Sequence, residues 1–143
     1  MLHENGMTAG ILIVAHGDQG RALIDCATHV YGTPPERLAA VSAGQDEPRD
    51  AMLSRLHDEL ARLDDGAGVL VLTDLFGATP CNLVRELLVP GKVAALSGVN
   101  LPMVLRAVRF RDQPLATLVE RVQAAAVECT VSVPAAEPAA DQP

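Results

Sequence analysis

Apolar residues in this chain follow two alternating rhythms. Short unbroken runs, Ile11-Leu12-Ile13-Val14-Ala15 and Val69-Leu70-Val71-Leu72, read as strands buried on both faces and central in a sheet. Between and after them, apolar residues recur every three or four positions, the spacing of a helix with one face on a core. The first such stretch, Arg21 to Tyr31, carries Ala22, Leu23, Cys26, Ala27 and Val30. Gly32 ends it, and Pro34-Pro35 bar a restart. Leu38 to Ala43 is a second, shorter strand. Asp46 then reads as an N-cap with Pro48 in the first turn of a helix that aligns Met52, Leu53, Leu56, Leu60 and Leu63. Asp64-Asp65-Gly66 turns the chain into the Val69 run. After the loop 73–80, Thr79 is placed as N-cap and Pro80 in the first turn, with Leu83, Val84, Leu87 and Leu88 inward. Pro90-Gly91 leads to a fourth strand, Lys92 to Leu96, and a loop, Ser97 to Asn100. Helices follow over Leu101 to Phe110 and from Pro114 to about Val127. Cys129-Thr130-Val131-Ser132-Val133 alternates and predicts a fifth strand.

Strand–helix alternation of this kind specifies an α/β fold: three layers, α/β/α, around a mainly parallel central sheet. The body is read as one domain over residues 10–133. Residues 1–9 are an N-terminal extension with Met7 as an alternative start. Residues 134–143 are Pro, Ala, Glu, Asp and Gln, which cannot bury enough surface to order themselves, so a disordered tail is expected.

Composition narrows the function. With 49% hydrophobic but only 2% aromatic residues, the core is aliphatic. A net charge of −7 argues against a nucleic-acid partner, whose phosphates need a basic surface. Cys26, Cys81 and Cys129 match no zinc or redox spacing. An odd count of cysteines, no secretion signal and no apolar run of about 20 residues point to the cytoplasm.

In an open parallel sheet, ligands sit beyond the carboxyl ends of the strands. Three loops converge there. The first carries His16 and Gly17, the second Asp74, Gly77, Ala78 and Thr79, the third Ser97 and Asn100. A carboxylate bonded to one imidazole nitrogen fixes the tautomer and leaves the other nitrogen as a nucleophile. The second loop runs into a helix N-terminus, whose free amides and dipole favour an anion. Histidine, aspartate and anion cradle together suggest a phosphohistidine site. Each residue also has a plain reading: Asp74 can cap a turn, Thr79 can be an ordinary N-cap, and Asn100 can be a turn residue with positive φ. His57 falls off the apolar stripe of its helix and reads as a surface residue.

The His16 strand, the loop Thr73-Asp74-Leu75-Phe76-Gly77-Ala78-Thr79-Pro80 and the segment Ser97-Gly98-Val99-Asn100-Leu101-Pro102-Met103 together resemble the IIA component of the mannose-type sugar phosphotransferase system. The resemblance covers about residues 10–133, with the motifs in family order at strand ends. It implies a cytoplasmic protein phosphorylated on His16 by phospho-HPr, with Asp74 orienting the ring and Gly17, Gly77, Ala78 and Thr79 around the phosphoryl group. The group would pass to a IIB component on a separate chain, and only indirectly to the membrane permease. The resemblance also implies a homodimer in which the C-terminal strand is exchanged onto the partner's sheet. No cofactor or metal enters this reading, the helix amides serving the phosphoryl oxygens. The chain departs from the commonest pattern at Ala78, where a second glycine is usual, and at Thr79, where a serine is.

Three other readings stay open. A regulatory module of the same system would receive the phosphoryl group but be read by a sensor. A dihydroxyacetone kinase phosphotransfer subunit shares the fold, but its corresponding loop usually lacks a Gly-x-[Ser/Thr]-Pro segment. A sirohydrochlorin-type chelatase would use His16 as a metal ligand, and needs a second ligand that His3, His29 and His57 are poorly placed to supply.

Overall fold

The computed structural model describes residues 6–43 and 46–138. Four strands, β1 (Gly10–His16), β2 (Leu38–Ala43), β3 (Val69–Thr73) and β4 (Val93–Leu96), form a parallel sheet in the order β2-β1-β3-β4. The two most apolar runs, β1 and β3, are the central strands, where both faces are covered. Helices α1 (Gln19–Tyr31), α4 (Leu101–Arg109) and α5 (Leu115–Glu128) lie on one face. There Ile11, Ile13, Leu70 and Leu72 pack with Ala27, Met103, Val104, Leu118 and Val122. Helices α2 (Arg49–Leu63) and α3 (Thr79–Arg85) cover the other face, with Leu12, Val14, Val69 and Val71 against Met52, Leu56, Leu60, Leu63 and Val84. The period of two along each strand sends alternate side chains to the two helix layers. The result is the expected three-layer α/β/α architecture.

Several boundaries depart from the expectation. β1 continues through His16, and α1 begins at Gln19, two residues before Arg21. In α1, Leu23, Ile24 and Ala27 reach the core, whereas Ala22, Cys26 and Val30 are exposed, so the packed stripe is narrower than the spacing suggests. Helix α2 starts at Arg49 with Pro48, not Asp46, as its cap residue; the Pro48 carbonyl accepts from the Met52 amide at 3.0 Å. Helix α3 is capped by Ala78, whose carbonyl accepts from the Asn82 amide at 3.0 Å, so Thr79 is its first helical residue. It ends at Arg85, which leaves Leu88 exposed and outside the packed face.

The expected fifth strand does not form within the chain: residues 130–138 have neither helical nor strand structure, and Val131 and Val133 are 68% and 87% exposed. Alternation makes a segment suited to a sheet, but a strand exists only against a neighbouring edge. The N-terminal extension is described only from Gly6 and the tail only to residue 138; Met1 to Asn5, including His3, and residues 139–143 lie outside the described residues.

At the end of the sheet opposite His16, two arginines tie the strand starts together. Arg111 donates to the carbonyls of Ala9 (3.0 Å), Arg37 (3.0 Å) and Glu36. Arg37 donates to the Leu63 carbonyl (2.8 Å) and to Thr8, and pairs with Asp65 at 3.1 Å. Burial, and then the neighbouring Arg37 charge, lower the Arg111 pKa to about 10.

Candidate active site

His16 is the last residue of a strand whose preceding residues, Ile11 to Ala15, are all buried. The parallel pairing of β1 with β3 brings that end beside Asp74, the first residue after β3. His16 Nδ1 lies 2.7 Å from Asp74 Oδ2, and the His16 backbone amide donates to the same oxygen at 3.0 Å. A third donor is Gln19: its Nε2 reaches Asp74 Oδ2 at 2.8 Å and the His16 carbonyl at 3.3 Å. Asp74 Oδ1 is buried and, among the described residues, has no hydrogen-bond partner, as is the neighbouring Thr73 Oγ1.

Burial opposes ionisation of Asp74. The backbone amide and ring of His16 and the Gln19 amide outweigh it, and the carboxyl group ends below its ordinary pKa. Asp74 is therefore an anion at neutral pH and can only accept. The proton of neutral His16 then sits on Nδ1, facing Asp74, and Nε2 keeps its lone pair. The Asp74 side chain is 8% exposed and that of His16 48%, so the orienting group is shielded while the ring is reachable.

The second loop curls beside the ring. Gly17 and Gly77 have φ of +56° and +85°, a region costly for residues with a Cβ. The Asn82 side chain donates to the Gly77 carbonyl at 3.1 Å and the Ala78 amide to the Leu75 carbonyl at 3.3 Å. Ala78 has φ −79° and ψ 166°, extended backbone open to any residue, so no glycine is needed there. Thr79 lines a cavity together with His16. That cavity, about 610 Å³, lies between α2 and α3 and is also lined by Glu47, Arg49, Asn82 and Glu86.

The third loop is brought alongside but contributes no side chain to the pair. The Val99 amide donates to the Thr73 carbonyl at 2.9 Å. Asn100 caps α4, accepting from the Met103 amide at 3.0 Å, with φ −144° rather than a positive value. Ser97 is exposed. Among the described residues no group of three His, Cys, Asp or Glu side chains is placed to share a metal ion. His29 and His57 lie exposed on α1 and α2.

Sequence reasoning missed Gln19. The signal was an amide side chain three residues after His16, across a glycine turn, but the helix was expected to start beyond it.

A family model described as the fructose IIA component of the phosphotransferase system, EIIA-man, matches residues 10–125. The mannose-specific EIIAB component of Escherichia coli (strain K12) is 29% identical over 107 residues, covering 74% of this chain and 33% of that protein. The chain thus spans about a third of the length of these mannose-specific relatives. The fructose-specific EIIA component of Bacillus subtilis is 28% identical over 103 residues, 71% of this chain and 70% of that protein. The crystal structure of a phosphotransferase-system EIIA component from Streptococcus agalactiae superposes with a TM-score of 0.76 at 29% identity, covering 87% of this chain and 96% of that one.

Proposed function

The chain belongs to the EIIA-man family of phosphotransferase-system IIA components, and we propose that it is a phosphohistidine carrier in which His16 accepts a phosphoryl group from phospho-HPr and passes it to a IIB component, for sugar uptake. The observation that carries this reading is the His16–Asp74 pair, with Nδ1 held at 2.7 Å in a half-exposed side chain, which leaves Nε2 as the nucleophilic nitrogen. The lone pair on Nε2 forms the new N–P bond while the bond between phosphorus and the donor breaks, its electron pair leaving with the donor. The ring gains positive charge as this happens, and Asp74 stabilises that charge through the Nδ1 proton. Transfer to IIB is the same step in reverse, with His16 as the leaving group.

Phosphoryl transfer needs placement and electrostatic support more than covalent help from the protein. The backbone of Gly17, Gly77 and Ala78 and the hydroxyl of Thr79 supply the surroundings for the phosphoryl oxygens. No helix among the described residues is long and apolar enough to cross a membrane.

The test is labelling with ³²P-phospho-HPr. His16→Ala is expected to take no label while keeping its circular dichroism spectrum. His29→Ala and His57→Ala are expected to label like wild type. The label should be acid-labile and alkali-stable, as a phosphoramidate is. Stoichiometric labelling of His16→Ala would overturn the assignment.

A further inference from the structure

Taking His16 as the phosphorylated residue, we propose that Arg49 is the exchangeable counter-ion of the phosphoryl group, held by Glu86 until that group arrives. Arg49 and Glu86 form an ion pair across the cavity, from the first residue of α2 to the residue after α3. His16 and Thr79 line the same cavity. Arg49 is the only Lys or Arg among the described residues of that lining. The charges around it are otherwise acidic: Glu47 and Glu86 in the lining, Asp74 bonded to the ring of His16, and the fully exposed Asp50, 4.0 Å from Arg49 Nη1. Glu47 already has a cation, Arg55, at 3.1 Å.

A phosphoryl group on Nε2 adds about two negative charges at neutral pH. Unopposed, it would face three carboxylates, and like charges in one concave site are costly. Arg49 can relieve this. Its guanidinium donates through a planar fork that matches phosphate oxygens. Its side chain is 56% exposed and that of Glu86 47%, so water screens the pair. A dianion offers the arginine a stronger partner than a half-exposed carboxylate does. Glu86 would then compete with the phosphoryl group for one cation, and would weaken the phosphorylated state without touching it.

The two residues also hold α2 to α3, and a staple is what the pair would be if it did nothing else. The experiment separates the roles. The full chain is phosphorylated chemically with phosphoramidate, which needs no HPr, and the His16 signal is identified in the ³¹P spectrum as the one missing from His16→Ala. Its shift is followed against pH. A nearby guanidinium favours the dianion, so Arg49→Gln is expected to raise the second ionisation of the phosphoryl group by about half a pH unit or more, roughly threefold in the constant. Glu86→Gln is expected to lower it, and Arg49→Gln/Glu86→Gln to behave like Arg49→Gln alone. Superposed titrations for wild type and Arg49→Gln would overturn the proposal, whatever the variants do to melting temperature. A Glu86→Gln effect undiminished in the double variant would overturn the competition between Glu86 and phosphate. Shifts as expected in a protein that takes no label from phospho-HPr would leave this inference standing and remove the donor assigned above.

Discussion

At the scale of single residues, the site turns on one oxygen. Asp74 Oδ2 takes the His16 amide, the His16 ring and the Gln19 amide, while Oδ1 takes none among the described residues. Asp74→Asn is expected to accept label but to slow transfer about tenfold or more, since the ring loses its fixed tautomer. Gln19→Leu removes one of three donors and should slow transfer about three- to tenfold. In that variant ¹⁵N spectra should show a larger fraction of the other His16 tautomer, which a purely structural role would leave unchanged. The lowered pKa of Asp74 also fixes a sign for stability. The folded value lies below the ordinary 3.8, so the carboxylate contributes stability above that pH and loses it as pH falls through the folded value. The advantage of wild type over Asp74→Asn in urea midpoint should be complete at pH 6 and shrink from about pH 4 downward. His16 and Asp74 were legible because each interrupts the chain just where a buried apolar run ends. Gln19 was not, because its role depends on where α1 starts, and boundaries are set by the fold as much as by local spacing.

At the scale of elements, strands and helices were readable wherever burial imposes a period. The centrality of β1 and β3 followed from runs with no polar position to turn outward. The caps were less readable. Asp46 and Thr79 have suitable side chains, but Pro48 and Ala78 hold the cap positions, and neither helix has a side-chain cap bond. The arginine cluster under the sheet was not readable at all, since nothing local to Arg111 shows that it meets carbonyls of Ala9, Glu36 and Arg37. Arg111→Ala should destabilise the protein by about 2–3 kcal/mol in urea denaturation, because these acceptors lose a charged donor together. Arg111→Lys should recover only part of this, as an ammonium cannot span the set in the same plane.

At the scale of the whole molecule, the unpaired segment after α5 is the place where one chain gives an incomplete account. Val127, Val131 and Val133 are exposed, and apart from an isolated antiparallel bridge between Val89 and Val93 the outer edge of β4 pairs with no further strand among the described residues. The alternating pattern of residues 129–133 and an open sheet edge are complementary needs, and we propose that a second copy satisfies both. Sedimentation of the full-length protein at micromolar concentration should give a dimer mass, and a chain ending at Val127 should dissociate at least about tenfold more readily. A monomer mass for the full chain would refute this. The alternation of residues 129–133 was legible in the sequence; the strand itself does not form within one chain, because pairing needs a neighbouring edge.

The strand order has a consequence for how the protein is made. β1 emerges first from a ribosome yet lies inside the sheet, between β2 and β3. Its β2 side can be covered early. Its other side waits for β3, and His16 and Asp74 stand 58 positions apart in the chain. A nascent chain paused in that interval displays its most apolar run with one row of backbone groups unpaired, the state most open to capture by another chain or a chaperone. The same delay means that His16 meets the Asp74 carboxylate only when the sheet closes, so no nascent chain that stops short of β3 has the ring held in place.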